Sequence, residues 1–277
     1  VGTTDSGVVG GHQNQPIFVV IRFSLANAGQ NASDHTVGSG HSFQVARRVH
    51  TVACCVACIV HLVEMNEQHV RVLIGQEVNG GLSDFGREVV REMDRLGMIV
   101  DISHVAVKTF WDTLEATERP VMASHSNASS LCDHPRNMSD DQLRAVGECN
   151  GVVCATFVPE FTSEGMRRQL AAMDEYPVMA FDTQHEGPFD DPVQGLALPS
   201  YKEVVDHIDH IVDVAGIDHV GIGSDFGVIG FTPTGLEDCS KFPVLTEEML
   251  ARGYSDTDVQ KVMGENVLRV MEDVIGE

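Results

Sequence analysis

The chain has 277 residues, 43% of them hydrophobic, and carries a net charge of −23. That length can bury a large single core, and a barrel of about 250 residues fits in it without a second domain. The acidity argues against nucleic acid or an anionic membrane surface as partner, because both require a basic face.

Residues 1–80 differ in composition from the rest. They carry four arginines, no lysine and five acids, whereas residues 81–277 hold a net charge of −22. Strand-like runs such as Ile17–Ile21 and Val70–Ile74 occur there, but no amphipathic helix with clear caps. Two readings stay open: an ordinary barrel start of unusual composition, or a stretch truncated or rearranged relative to its relatives. Cys54, Cys55 and Cys58 lie in an apolar run too short to span a bilayer and read as core cysteines. Seven scattered cysteines, an odd number, do not make a disulfide framework. No basic leader with a cleavage site is visible, but the sequence starts at Val1 and an upstream signal could lie outside it. The compartment therefore stays open: a soluble protein, cytoplasmic or exported, with no membrane-spanning segment in these residues.

From Gly81 the pattern turns regular. Asp84 is expected to cap a helix ending at Leu96, with Val89, Val90, Met93 and Leu96 inward and Gly97 as its stop. A strand over Met98–Ile102 follows, then a helix over about residues 106–117 and a strand leading to His125. Ser139-Asp-Asp-Gln142 is a capping-box start for a helix to about Cys149, and Gly151–Phe157 reads as the next strand. Residues 160–199, with four prolines, read as a long loop over a barrel mouth containing one helix near Ser163–Met173. Lys202–Ala215 is amphipathic and leads into a strand before Asp225, and two or three helices close the chain after Leu245. Alternating strands and helices predict a parallel sheet, closed as a (β/α)8 TIM-like barrel in one domain over residues 1–277, irregular or incomplete at its N-terminal end.

Three polar residues stand at the ends of strand-like runs: His104 in Met98-Ile-Val-Asp-Ile-Ser-His104, His125 in Pro120-Val-Met-Ala-Ser-His125, and Asp225 in His219-Val-Gly-Ile-Gly-Ser-Asp225. Side chains at the C-terminal ends of barrel strands converge on one mouth. Two imidazoles and a carboxylate delivered that way suggest a metal-assisted hydrolase of the metal-dependent type. Asp225 follows small residues that let something approach the backbone closely. Arg136, in the loop after the His125 strand, could grip a carboxylate through paired hydrogen bonds. His207 and His210 share a helix face and read as a solvated polar surface. His185 and Glu186, in the presumed loop over the mouth, could touch substrate.

These stretches resemble the membrane (renal) dipeptidases, zinc peptidases with a barrel fold. The resemblance rests on Gly81-Leu-Ser-Asp-Phe-Gly86, Met93–His104, Ser124-His-Ser126, Arg136-Asn137, Asp206-His-Ile-Asp-His210, Val220-Gly-Ile-Gly-Ser-Asp-Phe226, Gly235-Leu-Glu-Asp238, Ser240-Lys-Phe-Pro243 and Asn266-Val-Leu-Arg269. It covers residues 81–277, and residues 1–80 do not match well. It implies hydrolysis of dipeptides by metal-activated hydroxide at a two-zinc site, tolerant of a C-terminal D-residue. By position, His104 and His125 match two zinc ligands, Arg136 the holder of the substrate carboxylate, and Asp225 the carboxylate that handles the substrate amine or a proton. The family's remaining ligands precede Gly81. There Gly11-His12-Gln-Asn14-Gln-Pro16 echoes a Gly-His-x-Asp-x-Pro pattern with a neutral Asn14 in place of the acid, and Glu77 is the nearest candidate for a bridging carboxylate. His12 and Glu77 are therefore candidate ligands, and one zinc rather than two is an option. A homodimer, a catalytically impaired barrel serving as a binding or scaffold protein, and another metal-dependent amidohydrolase such as a deacetylase also stay open.

Overall fold

The computed structural model describes residues 80–172, 195–227 and 229–276. Helix α1 (Asp84–Leu96) is capped by Ser83 rather than Asp84: the Ser83 hydroxyl accepts the Gly86 N–H, and Asp84 occupies the first turn, where its charge faces the helix dipole. Gly97 ends it in the left-handed conformation at φ 70°, where a residue without Cβ carries no penalty. Val90 and Met93 are buried as the spacing predicts, but Leu96 is 55% exposed, because the chain turns away at Gly97.

The expected strand over Met98–Ile102 is reduced to a single parallel bridge, Asp101 to Met122. Two backbone bonds flank it, Ile102 N to Met122 O at 2.8 Å and Met122 N to Val100 O at 3.0 Å. Helix α2 (Val107–Ala116) leads to strand β1 (Met122–Ala123). Helix α3 (Asp140–Glu148) starts at the Ser139–Gln142 capping box and leads to β2 (Val152–Ala155). Helices α4 (Pro159–Thr162) and α5 (Glu164–Ala171) follow; the rest of the loop expected over the mouth, including His185 and Glu186, lies outside the described residues. Helix α6 (Tyr201–Ala215) buries Val204, Val205, Ile208 and Ile211, a 3₁₀ turn follows at Ile217–His219, and β3 spans Val220–Ile222. Helices α7 (Pro243–Ala251), α8 (Asp256–Gln260) and α9 (Asn266–Ile275) close the described chain.

The three strands form a parallel sheet in the order β1-β2-β3, with Met122 beside Val152 and Val153 beside Val220. All four β2 residues are buried, as both faces of a covered parallel sheet require. Helices pack against the sheet through one apolar core that includes Val90, Phe110, Leu143, Val153, Ile208 and Leu245. A second cluster, with Ile99, Val152, Val270 and Val274, seats α9. Asn266 ties α9 down by donating from Nδ2 to the carbonyls of Ile217 (2.7 Å) and Val220 (2.8 Å). The described residues are thus mixed α/β, with neighbouring strands in chain order.

Gly223 shows why the run before Asp225 needs small residues. A Cβ there would sit 1.9 Å from the carbonyl oxygen of Ser124, closer than real contacts allow. What approaches the backbone is the residue before His125, so the absence of a side chain at Gly223 lets two of the three site-bearing segments lie side by side.

Candidate active site

His104 and His125 follow the segments joined by the Asp101–Met122 bridge, and their rings meet. The two Nε2 atoms stand 2.7 Å apart and the ring centroids 4.7 Å apart. His104 holds a left-handed backbone (φ 68°), as does Asp225 (φ 62°). Such conformations cost a side chain-bearing residue on the order of 1–3 kcal/mol, and they concentrate at functional sites.

A layer of polar groups lies beneath the pair. The His125 N–H donates to Ser103 Oγ at 3.0 Å, and His125 Nδ1 meets Ser124 Oγ at 2.7 Å. Ser124 Oγ in turn donates to Asp101 Oδ2 at 2.5 Å, while Asp101 Oδ1 accepts the N–H groups of Ser103 (2.9 Å) and Ser124 (3.1 Å). Asp101 is only 7% exposed. Burial pushes its carboxyl above the ordinary range, opposed by these hydrogen bonds and by Arg136.

Arg136 lies in the loop after β1 and is 4% exposed, unlike an ordinary surface arginine. Its Nη2 donates to the His125 carbonyl at 3.4 Å, its guanidinium lies 5.4 Å from the Phe161 ring centre, and its buried Nε has no hydrogen-bond partner among the described residues. The ring of His134 stacks on Phe161 at 4.3 Å, and its Nδ1 accepts the Arg136 N–H at 3.1 Å. Asn137 clamps the same loop, donating to the carbonyls of Cys132 (2.9 Å) and Phe161 (2.7 Å). Burial lowers the Arg136 guanidinium to about 10, opposed by the charges of Asp225 and Asp101, so it stays a cation at neutral pH. Asp225 is raised by burial and held back by Arg136. His125 is lowered to about 2 by burial first, then by the Arg136 and His104 charges. A neutral imidazole, an obligatory cation and a carboxylate thus share one pocket of charge.

His12 and Glu77 lie outside the described residues, as does the cysteine run 54–58. Among the described residues no group of three or more His, Cys, Asp or Glu side chains is placed to hold a metal ion. His104 and His125 supply two convergent imidazole nitrogens, a donor type that suits zinc. One of them is backed by an oxygen partner on its other nitrogen, as metal-binding histidines usually are. The donor set therefore fits part of a zinc site.

The expectation that His207 faces solvent is corrected. His207 is 1% exposed: Nδ1 accepts the Ala128 N–H at 3.1 Å, and Nε2 donates to the Thr162 carbonyl at 2.9 Å. It joins α6 to the loop after β1 and to the end of α4. His210 is partly exposed and binds Asp140 Oδ1 and Ser130 Oγ, both at 2.8 Å and both through Nε2. Because serine and aspartate share one ring nitrogen, this trio cannot work as a nucleophile–base–orienter triad, which needs both nitrogens. Asp101 and Ser124 carry roles that motif reading missed; the available signal was an acid inside the apolar run Met98–Ile102.

Comparison with known proteins identifies the family. The family model described as membrane dipeptidase (peptidase family M19) matches residues 61–275, beginning ahead of Gly81, where the recognisable motifs start. Dipeptidase aclJ of Aspergillus oryzae is 37% identical over 235 residues, covering 85% of this chain and 49% of that protein. An alignment of that length takes in part of residues 1–80, which are therefore not wholly foreign to the family. Dipeptidase verJ of Clonostachys rogersoniana is 38% identical, covering 71% of this chain and 42% of its own length. A metallo peptidase from Rhodobacter sphaeroides, solved with a phosphinate mimic of the dipeptide L-Ala-D-Ala, superposes with a TM-score of 0.58 at 31% identity, over 71% of this chain and 48% of that one. The chain spans about half the length, or less, of the curated relatives it matches. With a family model matched over most of its length, the chain belongs to the membrane dipeptidase family, peptidase family M19.

Proposed function

We propose that this chain carries the chemistry of a metal-dependent dipeptidase, with zinc as the metal and His104 and His125 among its ligands. The observation that carries the proposal is the 2.7 Å approach of the two Nε2 atoms, next to a buried arginine and a partly buried aspartate. When bound, zinc polarises a carbonyl and lowers the pKa of water, so that hydroxide is available at neutral pH. The chain's own residues do the rest. Burial and the Arg136 charge keep His125 neutral, the form that can offer a lone pair.

Arg136 takes the C-terminal carboxylate of a dipeptide, for which its cationic guanidinium and unpartnered Nε are suited. Asp225 faces that cation and holds the substrate amine or carries a proton at its carboxylate. Selection of dipeptides follows from reading the free carboxylate with one group and the amine with another, which fixes the length between them. A second zinc follows the family's two-metal pattern; its candidate ligands His12 and Glu77 lie outside the described residues. The chain-order sheet, with the Asp101 bridge beside β1, supports a (β/α)8 barrel, since a doubly wound sheet reverses its strand order. Among the described residues no helix is long and apolar enough to cross a membrane.

The test is turnover of L-Ala-D-Ala and L-Ala-L-Ala by the full chain after chelation and after Zn²⁺ add-back. Zinc-restored release of free amino acids, absent with dipeptide amides, supports the proposal. Turnover that ignores both chelator and zinc contradicts it.

A further inference from the structure

We propose that Asp101 and Ser124 form a positioning relay that sets the tautomer of His125. The inference rests on the reading of His125 as a metal ligand and deepens it. A serine hydroxyl has one proton to donate. Ser124 commits it to Asp101 Oδ2, and Asp101 accepts from two backbone N–H groups and this hydroxyl. Ser124 Oγ also lies 3.5 Å from Ser103 Oγ, a longer approach than the 2.5 Å bond to Asp101 that takes its proton. Its 2.7 Å contact with His125 Nδ1 must then be one in which the ring donates. The proton of neutral His125 therefore sits on Nδ1, and Nε2 presents its lone pair toward His104.

The relay is held on both sides. Ser103 Oγ fixes the His125 backbone N–H, and the Ser124 carbonyl packs against Gly223, where no Cβ could fit. Asp101 thus acts on His125 through Ser124 without touching substrate or metal. Two residues of the bridge region deliver the ligand already in the protonation pattern that a metal needs, so no proton has to be moved between the ring nitrogens on binding.

The experiment uses the full chain, labelled with ¹⁵N-histidine and stripped of metal, with long-range ¹H–¹⁵N correlation spectra at fixed neutral pH. H125Q identifies the His125 signals. The relay predicts that wild-type His125 carries its proton on Nδ1, that S124A loses this fixed tautomer, and that S124T retains it. Zn²⁺ affinity, measured by competition with a chromophoric chelator, is expected to fall about 10–100-fold in S124A and to recover in S124T. A wild-type spectrum with the proton on Nε2, or an S124A protein with both tautomer and Zn²⁺ affinity unchanged, overturns the relay. Should the variants not fold, the wild-type spectrum alone decides. An Nδ1–H tautomer in a chain that takes up no Zn²⁺ upholds the relay and refutes the metal reading, so the two failures are distinguishable.

Discussion

His104 and His125, twenty-one residues apart in sequence, bring their Nε2 atoms within 2.7 Å of each other. Neither is on a helix; each follows one of the two segments joined by the parallel Asp101–Met122 bridge, and the adjacency of those segments makes the pairing. The chemistry assigned to this chain grows from that meeting and from the charged pair, Arg136 and Asp225, beside it.

Arg136→Lys keeps a charge but loses the planar fork. With turnover measured on free and amidated dipeptides, the variant is expected to lose about 10–100-fold in kcat/KM on the free acid, chiefly through KM, the equivalent of one charged hydrogen bond. An unchanged KM for the free acid would remove Arg136 from carboxylate recognition.

His207→Ala leaves the Ala128 N–H and the Thr162 carbonyl buried without their partner. The expected loss is about 2–5 kcal/mol, read by denaturant unfolding. Burial lowers the His207 pKa from 6.5 to about 4. The unfolded chain therefore binds the proton first as pH falls, and stability drops between about 6.5 and 4. That contribution amounts to about 3 kcal/mol at most. In His207→Gln the acid-side decline should be shallower than in the wild type by that amount; identical pH profiles would contradict the assignment.

The cysteines should separate by environment. Burial raises the thiols of Cys132 and Cys154 to about 12, whereas Cys239 is exposed. Because the thiolate is the reactive form, iodoacetamide at pH 8 should label Cys239 in the native protein and reach Cys132 and Cys154 only after unfolding. Peptide mapping by mass spectrometry reads this directly, and rapid native labelling of Cys154 would contradict the buried sheet.

Much of this was legible in the sequence where the signal is local. Gly97 stops α1 through its own backbone freedom, and the Ser139–Gln142 capping box starts α3. The strand-end positions of His104 and His125 were readable because apolar runs end there. What could not be read depends on which distant segment lies alongside. His207 stands three residues after Val204 and four before Ile211, at the edge of the buried face of α6, and the loop at Ala128 and the end of α4 cover it. Periodicity reports a helix's own faces and not what packs on them. Asp101 stands inside an apolar run, and its partner Ser124 comes from the neighbouring segment. Leu96 completed the apolar spacing of α1 but lies where the chain departs. His12 and Glu77, the remaining expected ligands, lie outside the described residues.

The most direct test of the central claim, that His104 and His125 jointly hold a catalytic zinc, is zinc stoichiometry of the purified full chain by elemental mass spectrometry, compared with His104→Ala and His125→Ala. At least one zinc per wild-type chain is expected, with loss of that zinc in either variant and loss of dipeptide turnover with it. Equal zinc content in the wild type and both variants, or a wild type that binds none, would contradict the claim.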